Sequence, residues 1–143
     1  MVRLIPRDDG AFVEQPAPRR LESRQVVLLD VYGSLFYAGA RTLQSRLPDP
    51  TDAVRPVVVL RLRGRVQLGA TSFTVLADYA ERLHAAGGRF FLSGLDPAVL
   101  DQLRRNATVD TGRLVEIFVA TDRLGEASLA AYRAASVWLA EQP

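Results

Sequence analysis

The sequence predicts an α/β fold, with a central, mostly parallel or mixed sheet of roughly four to five strands flanked by about four helices. Three observations predict it. Continuous β-branched and aliphatic runs recur along the chain, amphipathic segments of roughly ten to eighteen residues alternate with them, and glycine or proline punctuates the joins. The 143 residues, 48% hydrophobic and 24% charged, suit a single domain with one core.

Residues 1–24 carry an Asp8-Asp9-Gly10 turn signal and the extended-looking Pro16-Ala17-Pro18-Arg19-Arg20, so they read as a linker or an edge segment. Phe12-Val13-Glu14 suits a short edge strand, because the prolines that follow forbid a long central one. The pattern changes at Val26. Val26-Val27-Leu28-Leu29-Asp30-Val31-Tyr32 is the run expected of a strand buried on both faces, ending at Gly33-Ser34. Phe36, Ala40, Leu43 and Leu47 then repeat at helical spacing until Pro48 stops them.

Pro56-Val57-Val58-Val59-Leu60-Arg61-Leu62-Arg63 is the next strand, apolar at first and alternating Arg and Leu at its end. A helix with Phe73, Leu76, Ala80 and Leu83 on one face follows and closes at Gly87-Gly88. Arg89-Phe90-Phe91-Leu92-Ser93-Gly94 makes a third strand. Asp96-Pro97 then supplies an N-cap with proline at the first helical position, for a helix burying Val99, Leu100 and Leu103. Val115-Glu116-Ile117-Phe118-Val119 is a fourth strand, and a last helix from about Leu124 turns Ala127, Ala131, Ala135 and Trp138 towards the sheet. Such parallel strands need the helical crossovers that this order provides.

Composition removes several chemistries. All 18 basic residues are arginine, they face 16 Asp and Glu for a net charge of +2, there is no cysteine, and His84 is the one histidine. Disulfides, thiol nucleophiles, thiolate or multi-histidine metal sites and a lysine-bearing phosphate loop are therefore excluded. So small an excess of positive charge, without interleaved aromatics, does not make a nucleic-acid surface. His84, late in its helix, reads as a surface residue that suits the negative end of the dipole. No run reaches the roughly 18 apolar residues of a membrane span.

The stretch from Leu60 to Ser72 is the most informative, because it leaves a strand at its carboxyl end, where open α/β sheets bind ligands. Gly69, Ala70, Thr71 and Ser72 form the candidate anion-, nucleotide- or partner-binding loop. Thr71 or Ser72 either caps the helix, worth about 1 kcal/mol, or presents a hydroxyl where a phosphate would meet free backbone N–H groups. Arg61, Arg63 and Arg65 share one face while the strand persists. They are candidate basic contacts for a phosphate, a headgroup or an acidic partner, or else arginine stems lying over apolar neighbours as the strand emerges into solvent.

The strand exit Val31-Tyr32-Gly33-Ser34-Leu35-Phe36-Tyr37-Ala38-Gly39-Ala40, the strand ending in Arg63, the loop Gly69-Ala70-Thr71-Ser72 and the segment Gly87-Gly88-Arg89-Phe90-Phe91-Leu92-Ser93-Gly94 together resemble the STAS domain (sulfate transporter and anti-sigma-factor antagonist). The likeness is to the form at the cytoplasmic C-terminus of SulP-type anion transporters, and it runs from about Val26 to Trp138. It implies a STAS domain over residues 25–143, following the linker or edge segment 1–24. The aromatic-rich Leu35-Phe36-Tyr37-Ala38 resembles the transporter branch in particular.

The resemblance implies a non-catalytic regulatory domain that modulates the folding, dimerisation and activity of a transporter for sulfate or a related anion, at the cytoplasmic face of the membrane. Its implied partners are the membrane domain of the same transporter, a second copy as a homodimer and a regulatory protein, with no nucleic acid. No cofactor is implied beyond weak nucleotide binding. The alternative is a stand-alone anti-sigma-factor antagonist. In that branch the loop reads Asp-Ser-Ser/Thr-Gly and its third residue accepts phosphate from a partner kinase. Thr71 holds that position here, with Gly69 in place of the acidic residue and Ser72 in place of the glycine.

Overall fold

The computed structural model describes residues 1–31, 39–62, 68–105, 109 and 112–143. The expected strand exit at 32–38, with its Gly33-Ser34 turn and Phe36, lies outside them, as do Arg63 and Arg65. Among the described residues the strands are β1 (Val2–Pro6), β2 (Phe12–Pro16), β3 (Val26–Val31), β4 (Val57–Leu62), β5 (Arg89–Leu95) and β6 (Val115–Val119). The helices are α1 (Ala40–Arg46), α2 (Ala70–Ala85), α3 (Pro97–Arg105) and α4 (Glu126–Ala140). All six strands join one sheet in the order β2-β1-β3-β4-β5-β6.

β3 to β6 pair in parallel with each chain neighbour, and an antiparallel hairpin of β1 and β2 closes the β3 edge. The sheet thus has six strands rather than four to five. The first sixteen residues supply β2, where the sequence predicts a short edge strand, and β1, which it does not mark. Their prolines, Pro6 and Pro16, stand at strand ends, where a missing N–H does least damage. The Asp-Asp-Gly signal makes the hairpin turn: Gly10 takes φ +86°, and the Ala11 N–H donates to Asp9 Oδ1 at 2.9 Å.

Alternation along the parallel strands divides the core in two. Val27, Leu29 and Val31 of β3, Val58, Leu60 and Leu62 of β4, and Phe90 and Leu92 of β5 pack with Leu43, Phe73, Leu76, Leu83, Val99 and Leu103 of the first three helices. Leu28, Val59 and Phe91 face the other way, against Ala131 and Ala135 of α4. Every side chain from Val57 to Leu62 is buried: Val57 to Leu60 as their apolar run predicted, Arg61 against the expectation that this strand end emerges into solvent. Small residues at i, i+4 and i+8, Ala127, Ala131 and Ala135, form the buried stripe of α4 and let its backbone come close to the sheet. Trp138 is only half-buried, and so is Leu100 of α3.

Helix ends follow local chemistry. Asp96 Oδ1 accepts the Ala98 N–H at 2.9 Å, the expected cap of α3. Leu124 stays 91% exposed in the turn before α4, which starts two residues later than anticipated. At the end of α2, Gly87 adopts φ +77°, and the Gly88 N–H reaches back to the Leu83 carbonyl at 2.8 Å. A Cβ on Gly88 would lie 1.8 Å from the Pro56 carbonyl oxygen. Only glycine fits where this connection crosses the start of β4.

Tyr79 ties α2 to the loop before β4. Its ring meets Phe90 edge-on with centroids 5.5 Å apart, and its hydroxyl donates to the Pro48 carbonyl at 2.7 Å. Next to it, Asp49 accepts from the Thr51 hydroxyl at 2.7 Å and the Thr51 N–H at 2.9 Å, and pairs with Arg82 at 2.8 Å. The Thr51 hydroxyl, first among these, holds the Asp49 carboxyl below its ordinary pKa.

Burial pushes the Tyr79 phenol above its ordinary 10.0, so the folded state favours the neutral ring. That stabilisation is complete below pH 10.0 and is lost as pH rises from there through the raised value. Tyr79→Phe is expected to cost about 1 kcal/mol at neutral pH and to flatten the alkaline decline in stability, which urea unfolding across a pH series measures.

Candidate functional site

The carboxyl ends of the parallel strands hold the candidate residues, and the structure divides them between the two faces of the sheet. α2 begins at Ala70 with Gly69 as its N-cap in extended conformation, and no side chain bonds to that cap. The Gly69 carbonyl instead accepts from Ser72 N–H at 3.0 Å and Phe73 N–H at 3.3 Å. The expected hydroxyl cap is therefore corrected: Thr71 and Ser72 lie inside the first turn, past the position from which a side chain caps. Gly69, Ala70 and Thr71 are exposed, and Ser72 is half-buried.

Arg61 departs further from expectation. It does not emerge into solvent but is 6% exposed, and its Nη1 lies 3.5 Å from Oδ2 of the fully buried Asp30. The strand period explains why. Arg61 sits one place beyond Leu60 and two beyond Val59, so it points to the α4 face, whereas α2 packs on the opposite face. Arg61 and Thr71 thus do not share a site. His84 is exposed near the end of α2, as read from its place in the helix.

Register makes the Arg61 region a continuous polar row. Asp30 is opposite Arg61, and Arg61 is opposite Ser93, on three adjacent strands. The Ser93 and Ser128 hydroxyls share a hydrogen bond of 3.0 Å, linking the row to the first turn of α4. The row lies one layer above Leu28, Val59 and Phe91, and so ends the apolar core on this face. Buried charges are tolerated where they pair and bond in this way.

Gly94 provides the space. Its φ is +71°, the β5–β6 register shifts between Ser93 and Leu95, and a Cβ there would lie 3.4 Å from Arg61 Cγ. The irregularity lets the arginine stem pass beside the strand. Beyond it opens a cavity of about 140 Å³, with Arg61 and Gly94 on one wall and Thr121, Arg123, Gly125 and Ser128 on the other. The Thr121 side chain shapes this second wall by accepting the Arg123 N–H at 3.3 Å.

Asp30, Ser93 and Ser128 were not singled out in the sequence. The available signal was the position of two lone charges: each is the fifth residue of its strand, in runs that are otherwise apolar up to that point. Parallel strands paired from their first residues bring such positions side by side.

Removing one partner leaves the other buried without this ion pair. Asp30→Ala is expected to destabilise the fold by about 3–5 kcal/mol. Replacing both charges, with Asp30→Leu and Arg61→Met, should cost less than that single change. Chemical denaturation of the three proteins checks the order, and equal stability of Asp30→Ala and wild type would refute the role given to the pair.

No curated protein and no solved structure matches the chain. The family model described as STAS domain matches residues 17–118, well over half of the chain, covering β3 to most of β6 with the three helices between them. With this match and an α/β sheet of parallel strands whose crossovers are helices, the chain belongs to the STAS domain family.

Proposed function

We propose that the chain is a non-catalytic regulatory domain working on the cytoplasmic side of a SulP-type secondary transporter for sulfate or a related anion. It acts on the folding, dimerisation and activity of the membrane unit through domain contacts, with the membrane domain, a second copy and a regulatory protein as its partners. No helix among the described residues is long and apolar enough to cross a membrane, so in this reading other segments of the protein carry the span.

The observation that carries the proposal is the start of α2. Its first turn holds no acidic residue and Gly69 is its cap, so the carboxylate that precedes the phosphate acceptor in the antagonist branch has no counterpart. The resemblance of Val31-Tyr32-Gly33-Ser34-Leu35-Phe36-Tyr37-Ala38-Gly39-Ala40 to the transporter version supports the same branch. The open reading frame that contains these 143 residues tests it. Membrane-spanning segments encoded in frame ahead of the domain are expected, and a frame that opens at Met1 would overturn the proposal.

A second reading, a stand-alone anti-sigma-factor antagonist, is favoured by one feature: the Thr71 hydroxyl is exposed in the first turn of α2 and does not serve as the cap. A phosphate there would gain from the helix dipole. Under this reading, incubation with a partner kinase and ATP adds one phosphate, Thr71→Ala abolishes it and Ser72→Ala does not. Weak nucleotide binding belongs to the same helix start and would be lost with its backbone geometry rather than with Arg61, which faces the other side.

A further inference from the structure

We propose that the cavity beside Arg61 is a binding site for a small inorganic oxyanion, with sulfate and phosphate as its chemical type. This site is separate from the start of α2 and does not depend on the transporter reading. Its polar lining is the guanidinium groups of Arg61 and Arg123 and the hydroxyls of Thr121 and Ser128, the latter two already bonded to the Arg123 carbonyl and to Ser93. Ala120, Leu124 and Ala127 complete the walls, and no carboxylate lines them among the described residues. Arg61 is the buried anchor. Asp30 touches its Nη1 from the neighbouring strand without forming part of the cavity wall, and so holds the guanidinium in position. Arg123 stands at the rim, 83% exposed, its Nε 3.9 Å from Glu126.

Size decides the class of ligand. The recess is small, at about 140 Å³. That admits an oxyanion and lies well below the roughly 300 Å³ at which pockets for larger ligands begin. A planar guanidinium matches the paired oxygens of such an ion. One wall comes from β4 and β5, and the other from residues 120–128, beyond the stretch that the family model matches.

Titrating the 143-residue chain with sodium sulfate, and separately with sodium phosphate, at constant ionic strength tests the proposal. Calorimetry and backbone amide NMR are expected to give a saturable response, largest at Gly94, Gly125, Ala127 and Ser128, while chloride gives none. Arg123→Gln should weaken affinity about threefold, the scale of an exposed charge contact. The Asp30→Leu and Arg61→Met pair should abolish saturation in a protein whose circular dichroism is unchanged. Absence of saturation in the wild type overturns the proposal, as do shifts centred on Thr71 instead, or an affinity unchanged in the paired variant. If that variant does not fold, Arg123→Gln decides alone, and unchanged affinity in it overturns the site.

Discussion

Three adjacent strands that are buried on both faces set the terms for everything else in this molecule. β3, β4 and β5 have no side that water can reach over most of their length, so each alternate residue must find an apolar partner in a different layer. Three helices meet that demand on one face with Leu, Phe and Val. A single helix, α4, meets it on the other with alanines, which is why it can cover the sheet alone: small side chains bring its backbone near enough to seal Leu28, Val59 and Phe91.

The polar row follows from the same constraint. At the fifth position of β3 and β4 the alternation still directs side chains into the α4 layer, but the residues there are Asp30 and Arg61. Two opposite charges in register tolerate burial where one would not, and Ser93 with Ser128 continues the polar layer to the helix. The cavity opens where the sheet's irregularity at Gly94 meets the turn into α4. A packing device and a recess with cationic walls are thus the same few residues.

Much of the fold was legible because its strongest signals are local. The runs around Val57 to Leu62 and Phe90 to Leu92 could only be central strands, and Asp96-Pro97 placed a helix start. The hairpin was harder, since Val2 to Pro6 is a short, proline-ended segment whose strand character arises from pairing with β3 rather than from its own composition. The site divided along similar lines. Thr71 stood correctly at the beginning of a helix, but a backbone glycine took the capping role. Arg61 was visible as a charge, whereas its partner lay 31 residues away on a strand whose register no local pattern specifies. Burial of an arginine is a tertiary fact.

α4 follows all six strands in sequence, which has a consequence for synthesis. Strand order equals chain order from β3 to β6, so the sheet can grow by adding each unit to the one just made. Its second face, however, stays uncovered until residues 126–140 arrive. A nascent chain holding all six strands would still present Phe91, Val59 and Leu28 to the surroundings, with Asp30 and Arg61 at their margin. Docking of α4 therefore covers an adhesive face, and the interval before it docks leaves that face open to aggregation or to a chaperone.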